Sequence, residues 1–143
     1  MSVNASLRAQ REALVLEHIT AENRNDVEAA LKTFTRPKYD MRARGGGVIE
    51  GWDPVRQHIA GFAISFPAVT YVADKTHHAD DAVIVEYRIT GTHQGQYPGI
   101  PANGATLDYP ALAVFEFDGP ELVGERVYMN TQGLEAQMRG GSS

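Results

Sequence analysis

The chain contains no cysteine. Disulfides, thiolate nucleophiles and cysteine-ligated metals are therefore excluded. Long apolar runs are also missing: no stretch approaches the roughly 18 residues of a membrane-spanning helix. The opening MSVNASLRAQRE has no apolar core of signal-peptide length, so a cytoplasmic location is expected. Positive charge is scarce and scattered. Thirteen Lys and Arg stand against eighteen Asp and Glu, a formal net charge of −5. Without a dense basic face, no nucleic-acid partner is expected, and nothing points to a membrane partner.

What remains is the composition of a globular protein, 43% hydrophobic and 22% charged over 143 residues. That length suits one core, taken here as a single domain over residues 1–139. GGSS at 140–143 has flexible-linker composition, of the kind cloning leaves behind, and is set apart as a tail.

The first half carries helical periodicity. Residues 5–24 lack Pro and Gly and are rich in Ala, Leu, Arg and Glu. Asn25 with Glu28 three residues on reads as a capping box for a second helix, which Pro37 stops. Two short extended pieces flank Gly45-Gly46-Gly47 within 39–50. Asp53-Pro54 reads as the cap and first residue of a third helix, with Val55, Ile59, Phe62 and Phe66 on one side. The period then changes. Residues 69–77, 82–93, 105–117 and 121–130 read as strands, with tight turns at Asp80-Asp81 and Asp118-Gly119 and a Pro/Gly-rich loop over 94–104. Helices followed by consecutive antiparallel strands predict an α+β fold.

Several stretches resemble one family. HITAENRNDVEAALKTF (18–34), HHADDAVIVEYRITGTHQGQYPGIPANG (77–104), the turn at Asp118-Gly119 and ERVYMNTQGLEAQM (125–138) look like a SnoaL-like domain of the NTF2-like superfamily. The most specific piece, GTHQGQYPGIPANG, is similar to the family pattern GTHxGxxxGxPPTG. The resemblance implies a cone: a curved antiparallel sheet wrapped around the N-terminal helices, with one internal pocket. It also implies homodimers paired through the sheet. The implied activity is cofactor-independent general acid–base chemistry on a hydrophobic carbonyl or polyketide-like substrate, by aldol-type cyclisation, isomerisation or water addition. No metal site is expected, since His77 and His78 beside Asp80-Asp81 are strand neighbours that point to opposite faces.

The family's cyclases use an acidic residue near the end of the last strand, in the frame Tyr/Trp-x-Asp-x-x-Gly-Leu. Here that frame reads Tyr128-Met129-Asn130-Thr131-Gln132-Gly133-Leu134. Asn has no proton that titrates near neutrality, so Asn130 can orient a carbonyl but cannot be an ordinary base. A plain cap at a strand end is the competing reading of this residue. The proton-moving group is then sought in His93 or Glu116, a strand-end imidazole and a strand carboxylate that burial would push up. Loop organisation and simple exposure are their respective alternatives. Tyr39, Tyr97, Tyr109, Tyr128, Trp52 and Phe66 are candidate pocket walls, His18 a core or wall imidazole, and Tyr97 a candidate lid. A non-catalytic binding protein, with the family Asp replaced by Asn130, is the alternative function.

Overall fold

The structure, a computed structural model, describes residues 4–140; the last three residues of the GGSS tail lie outside them. Asn4 opens the first helix, its side-chain oxygen accepting from Leu7 N–H at 2.8 Å, and α1 spans Ala5–Asn23. The next helix differs from the sequence reading at its cap. Asn25 takes a left-handed φ of 56°, which Asn tolerates better than most residues, and its amide donates to the Pro67 carbonyl. Asp26 is the cap instead, accepting from Ala29 N–H, and α2 spans Val27–Leu31. Glu28 turns away to pair with Arg56 at 2.5 Å.

β1 (Lys38–Asp40) and β2 (Val48–Glu50) pair antiparallel around the glycine turn. The third helix, α3 (Trp52–Ser65), starts two residues earlier than Asp53-Pro54 suggests. Gly51, at φ 96°, makes the sharp entry that an L side chain would strain, and caps the helix while Asp53 joins its first turn. Then come β3 (Thr70–Ala79), β4 (Ala82–Thr92), β5 (Thr106–Asp118) and β6 (Glu121–Tyr128). The six strands run β2-β1-β6-β5-β4-β3. One pairing departs from the expected antiparallel sheet. β1 and β6 are parallel; no hairpin joins them, and α3 and four strands separate them in the chain.

Two bulges bend the sheet. Asp74 is the extra residue in β3 and Val123 the extra residue in β6. The second has a large consequence: it resets the alternation, so that Leu122, Glu125 and Val127 are all buried. The concave face receives α1, α2 and α3 around a core that includes Val15, Leu31, Phe34, Val55, Val85 and Phe115. Arg11 closes one end of this package. Its guanidinium donates to Gly119 O at 2.9 Å and Asp80 O at 3.0 Å, in the two tight turns, and lies over the Phe117 ring.

The GTHQG stretch now has a steric reason for its glycines. A Cβ on Gly91 would sit 3.2 Å from Val69 Cα, and one on Gly95 only 1.7 Å from the Ile64 carbonyl oxygen. Gly95 N–H donates to Ser65 O, so the loop lies on the end of α3 with no room for a side chain. Gly95→Ala should lower stability in urea denaturation by roughly 3 kcal/mol, as an overpacked core position does. Gly47→Ala, where a Cβ meets nothing within 4 Å, serves as the neutral control.

The sequence reading has no element after β6, but the chain forms α4 over Thr131–Met138. Leu134 and Met138 bury completely. Gly133 inside this short helix lowers its intrinsic propensity, which hides it from a periodicity argument.

Candidate functional site

Inside the curved sheet lies a cavity of about 600 Å³, mouth included. Every layer contributes to it. Its apolar walls include Ile59 and Phe62 of α3, Ile89 of β4, Ala113 and Phe115 of β5, and Val127 and Met129 at the end of β6. The polar side chains facing it are Glu22, Tyr39, His58, Tyr71, Tyr87 and Glu125. Few polar groups converging in an apolar chamber is the usual form of a small-molecule site.

Glu125 and Glu22 meet behind Tyr39 at one buried imidazole. His18 Nδ1 lies 2.8 Å from Thr33 Oγ1, and the Thr33 hydroxyl donates to Ala30 O at 2.6 Å. Having spent its hydrogen there, Thr33 accepts from His18 Nδ1–H, which leaves Nε2 as the nitrogen that titrates. Nε2 is 3.0 Å from Tyr39 Oη and 3.3 Å from a carboxylate oxygen of both Glu22 and Glu125. Burial opposes charge on His18, but Glu22 and then Glu125 outweigh it and raise its pKa from 6.5 to about 10. His18 is thus an imidazolium at neutral pH.

Glu125 is pushed the other way from an ordinary ion-pair partner. Its burial raises its pKa more than His18 lowers it. Its Oε1 is close enough to His18 Nε2 for charge attraction, yet has no aligned hydrogen-bond partner among the described residues. Tyr39 is held firmly as a phenol, its pKa raised well above 10 by burial and then by Glu125 and Glu22. The cavity therefore presents a desolvated carboxylate with an unfilled acceptor oxygen beside a phenol backed by an imidazolium.

Of the residues expected from the sequence, Tyr39 lines this cavity and His18 stands directly behind it. The others lie elsewhere. Asn130 is exposed and does not line the cavity; its side chain accepts from Gly133 N–H at 3.1 Å as the N-cap of α4. Gly133 fits that cap because a Cβ there would meet Asn130 Nδ2 and Tyr109 Oη at 3.2 Å. The Asn-x-x-Gly-Leu frame is thus a helix entry. An Asp would cap it equally well. Asn130→Asp should leave the melting temperature nearly unchanged and create no new activity, whereas Asn130→Ala should cost about 1 kcal/mol in denaturant titration.

Glu116 lies on the outer sheet face, paired with Lys38 at 3.3 Å and Arg126 at 3.0 Å. His93 is wholly buried under Phe66 and Tyr97, with neither ring nitrogen hydrogen-bonded among the described residues. Tyr97 lines an outer groove, not the cavity. Phe66 is buried at the end of α3, and Trp52 is 47% exposed at its start. Tyr109 donates to the Asn130 carbonyl beneath α4, and Tyr128 is 45% exposed. His77 and His78 diverge as expected for neighbours on a strand, to Glu86 and Glu12 respectively.

The sequence reading missed Glu22, His58, Tyr71, Tyr87 and Glu125. One signal was available for Glu125: it shares period-two spacing with Val127 and Met129, a carboxylate on an apolar strand face. Glu22 follows His18 by four residues and so lies on the same helix face.

A bent sheet folded over helices, with a chamber between them, is the ketosteroid isomerase-like, or NTF2-like, cone. A protein from Catenulispora acidiphila described with that fold, solved with trimethylamine, superposes with a TM-score of 0.73 at 19% identity, over 88% of this chain and 92% of its own. The chain belongs to the SnoaL-like polyketide cyclase family, whose model matches residues 12–138. A protein proposed to be a polyketide cyclase from Xanthomonas campestris pv. campestris is similar at a TM-score of 0.84 and 24% identity, covering 92% of this chain and 98% of that one. AclR, a proposed hydroxylase from Streptomyces galilaeus, aligns at 0.76 and 21%, covering 92% and 82%. At these identities the likeness shows the fold alone. No curated protein matches the sequence.

Proposed function

We propose that this protein is a general acid–base enzyme that enolises a hydrophobic carbonyl compound, with Glu125 as the base. The observation that carries this reading is the unfilled Oε1 of Glu125, buried in an apolar-lined cavity beside the His18–Tyr39 pair. His18 Nε2–H donates to the Tyr39 oxygen, and the phenol's own hydrogen, which faces the Glu125 carboxylate, would turn to a substrate carbonyl when one enters. Glu125 takes the proton from the carbon next to that carbonyl. The C–H electron pair becomes the enolate double bond, and the charge on oxygen is met by the Tyr39 O–H. Returning the proton to another carbon gives isomerisation; attack of the enolate carbon on a second carbonyl gives aldol cyclisation. Glu22 also lines a smaller cleft with Asn25, Asp26 and Val69, which offers the buried cluster a route for proton exchange with solvent.

The test is deuterium exchange at the α-carbon of 2-tetralone, a compact enolisable ketone, followed by NMR. Saturable exchange well above the buffer rate is expected. Saturable binding by calorimetry with no acceleration would overturn the reading and favour a binding protein.

A further inference from the structure

We infer that the open groove outside α3 is a second subsite, holding the far half of a ligand whose carbonyl end occupies the cavity. The inference deepens the enolisation reading and rests on it for the position of the carbonyl. The groove spans about 880 Å³, open solvent included, between α3 and the loop carrying Gln96, Tyr97 and Pro98. Its α3 side is the stripe Gln57, Gly61 and Ile64, at helical spacing. His58 and Phe62 line both the groove and the cavity, so these two side chains form the shared wall that a ligand reaching both spaces would pass.

Gly61 is the second observation. A glycine in a helix interior is worse than alanine by about 1 kcal/mol. The usual reason for keeping one is a close neighbour, as at Gly95. At Gly61 a Cβ would meet nothing within 4 Å. Its missing side chain instead leaves the groove floor open. Beside it, Ile64 is 62% exposed, a large apolar side chain with no cover among the described residues. The groove's lining contains no Asp, Glu, Lys or Arg. The chemistry that fits is an uncharged, elongated molecule. Its flat distal part would lie against Ile64 and Tyr97, and its carbonyl or hydroxyl groups would meet the Gln57 and Gln96 amides.

Two probes separate this from the cavity's own role. 2-Tetralone is compact; 6-phenyl-2-tetralone carries the same ketone extended by one ring. Calorimetry on the wild type should show the extended ketone binding about tenfold more tightly, the gain of one further aromatic contact surface. Gly61→Phe fills the groove at a solvent-facing helix position and should fold normally by circular dichroism. It should bring the affinity ratio close to one, while 2-tetralone binding and α-proton exchange persist. Equal affinities for the wild type, or an undiminished ratio in Gly61→Phe, would overturn the subsite. Failure of 2-tetralone exchange would count against the catalytic reading alone, since the affinity ratio is measured without turnover.

Discussion

Glu125→Gln should slow α-proton exchange of 2-tetralone by about 10²–10⁴-fold, the range that a positioned base contributes. Affinity for the ketone should change little. The amide keeps the shape and an oxygen toward His18, so walls and volume persist, but it cannot accept the proton. The wild-type pH profile gives the second readout. Burial raises the Glu125 pKa, so the base is protonated and inactive at acid pH. Activity should rise through a midpoint above the ordinary 4.5 of a glutamate. In Glu125→Gln the residual rate should lose that limb. Glu116→Gln should leave both rate and profile unchanged, because Glu116 sits on the far sheet face with Lys38 and Arg126. An unchanged rate in Glu125→Gln would remove Glu125 as base and with it the mechanism.

The contrast between Glu116 and Glu125 explains what could be read from the sequence. The first three helices, the hairpins and the four long strands were legible because each has a local cause: a cap, a tight turn or a two-residue alternation. The fold followed from those and from the GTHQG stretch. The site was less legible because facing depends on register. Val123, one extra residue, turns Glu125 inward; no periodicity marks that bulge beforehand, and the spacing of Glu125 with Val127 and Met129 alone does not say which face is the inner one. Asn130 was misleading for a related reason. Its frame resembles that of a catalytic carboxylate, but the same spacing is what an N-cap with glycine three residues on requires. His18 and Tyr39 could be singled out because a histidine on a helix stripe and a tyrosine in a strand are visible one at a time. Their meeting with Glu22 and Glu125 is a tertiary fact.

That meeting predicts an unusual stability profile. Melting temperature should fall steadily from near pH 6.5 toward pH 10, a range in which most folded proteins lose little through histidine. Unfolded, His18 releases its proton near 6.5; folded, it holds it to about 10. Between those values the folded state binds the extra proton, so stability decreases as pH rises. The contribution is fully present below 6.5 and gone above about 10. A shift of this size corresponds to something on the order of 3–5 kcal/mol across the window. Glu125 acts with the same sign at lower pH, since its pKa is also raised by burial; its contribution begins to fade above 4.5. His18→Leu separates the two. The variant should be less stable at neutral pH, because Glu22 and Glu125 are left facing each other without the imidazolium. Its melting temperature should decline less from pH 6.5 to 10 than that of the wild type, the remaining slope coming from Glu125, whose carboxyl loses the lowering influence of His18. If His18→Leu keeps the wild-type slope, the imidazolium is not the source, and Tyr39 loses the charge behind its hydroxyl.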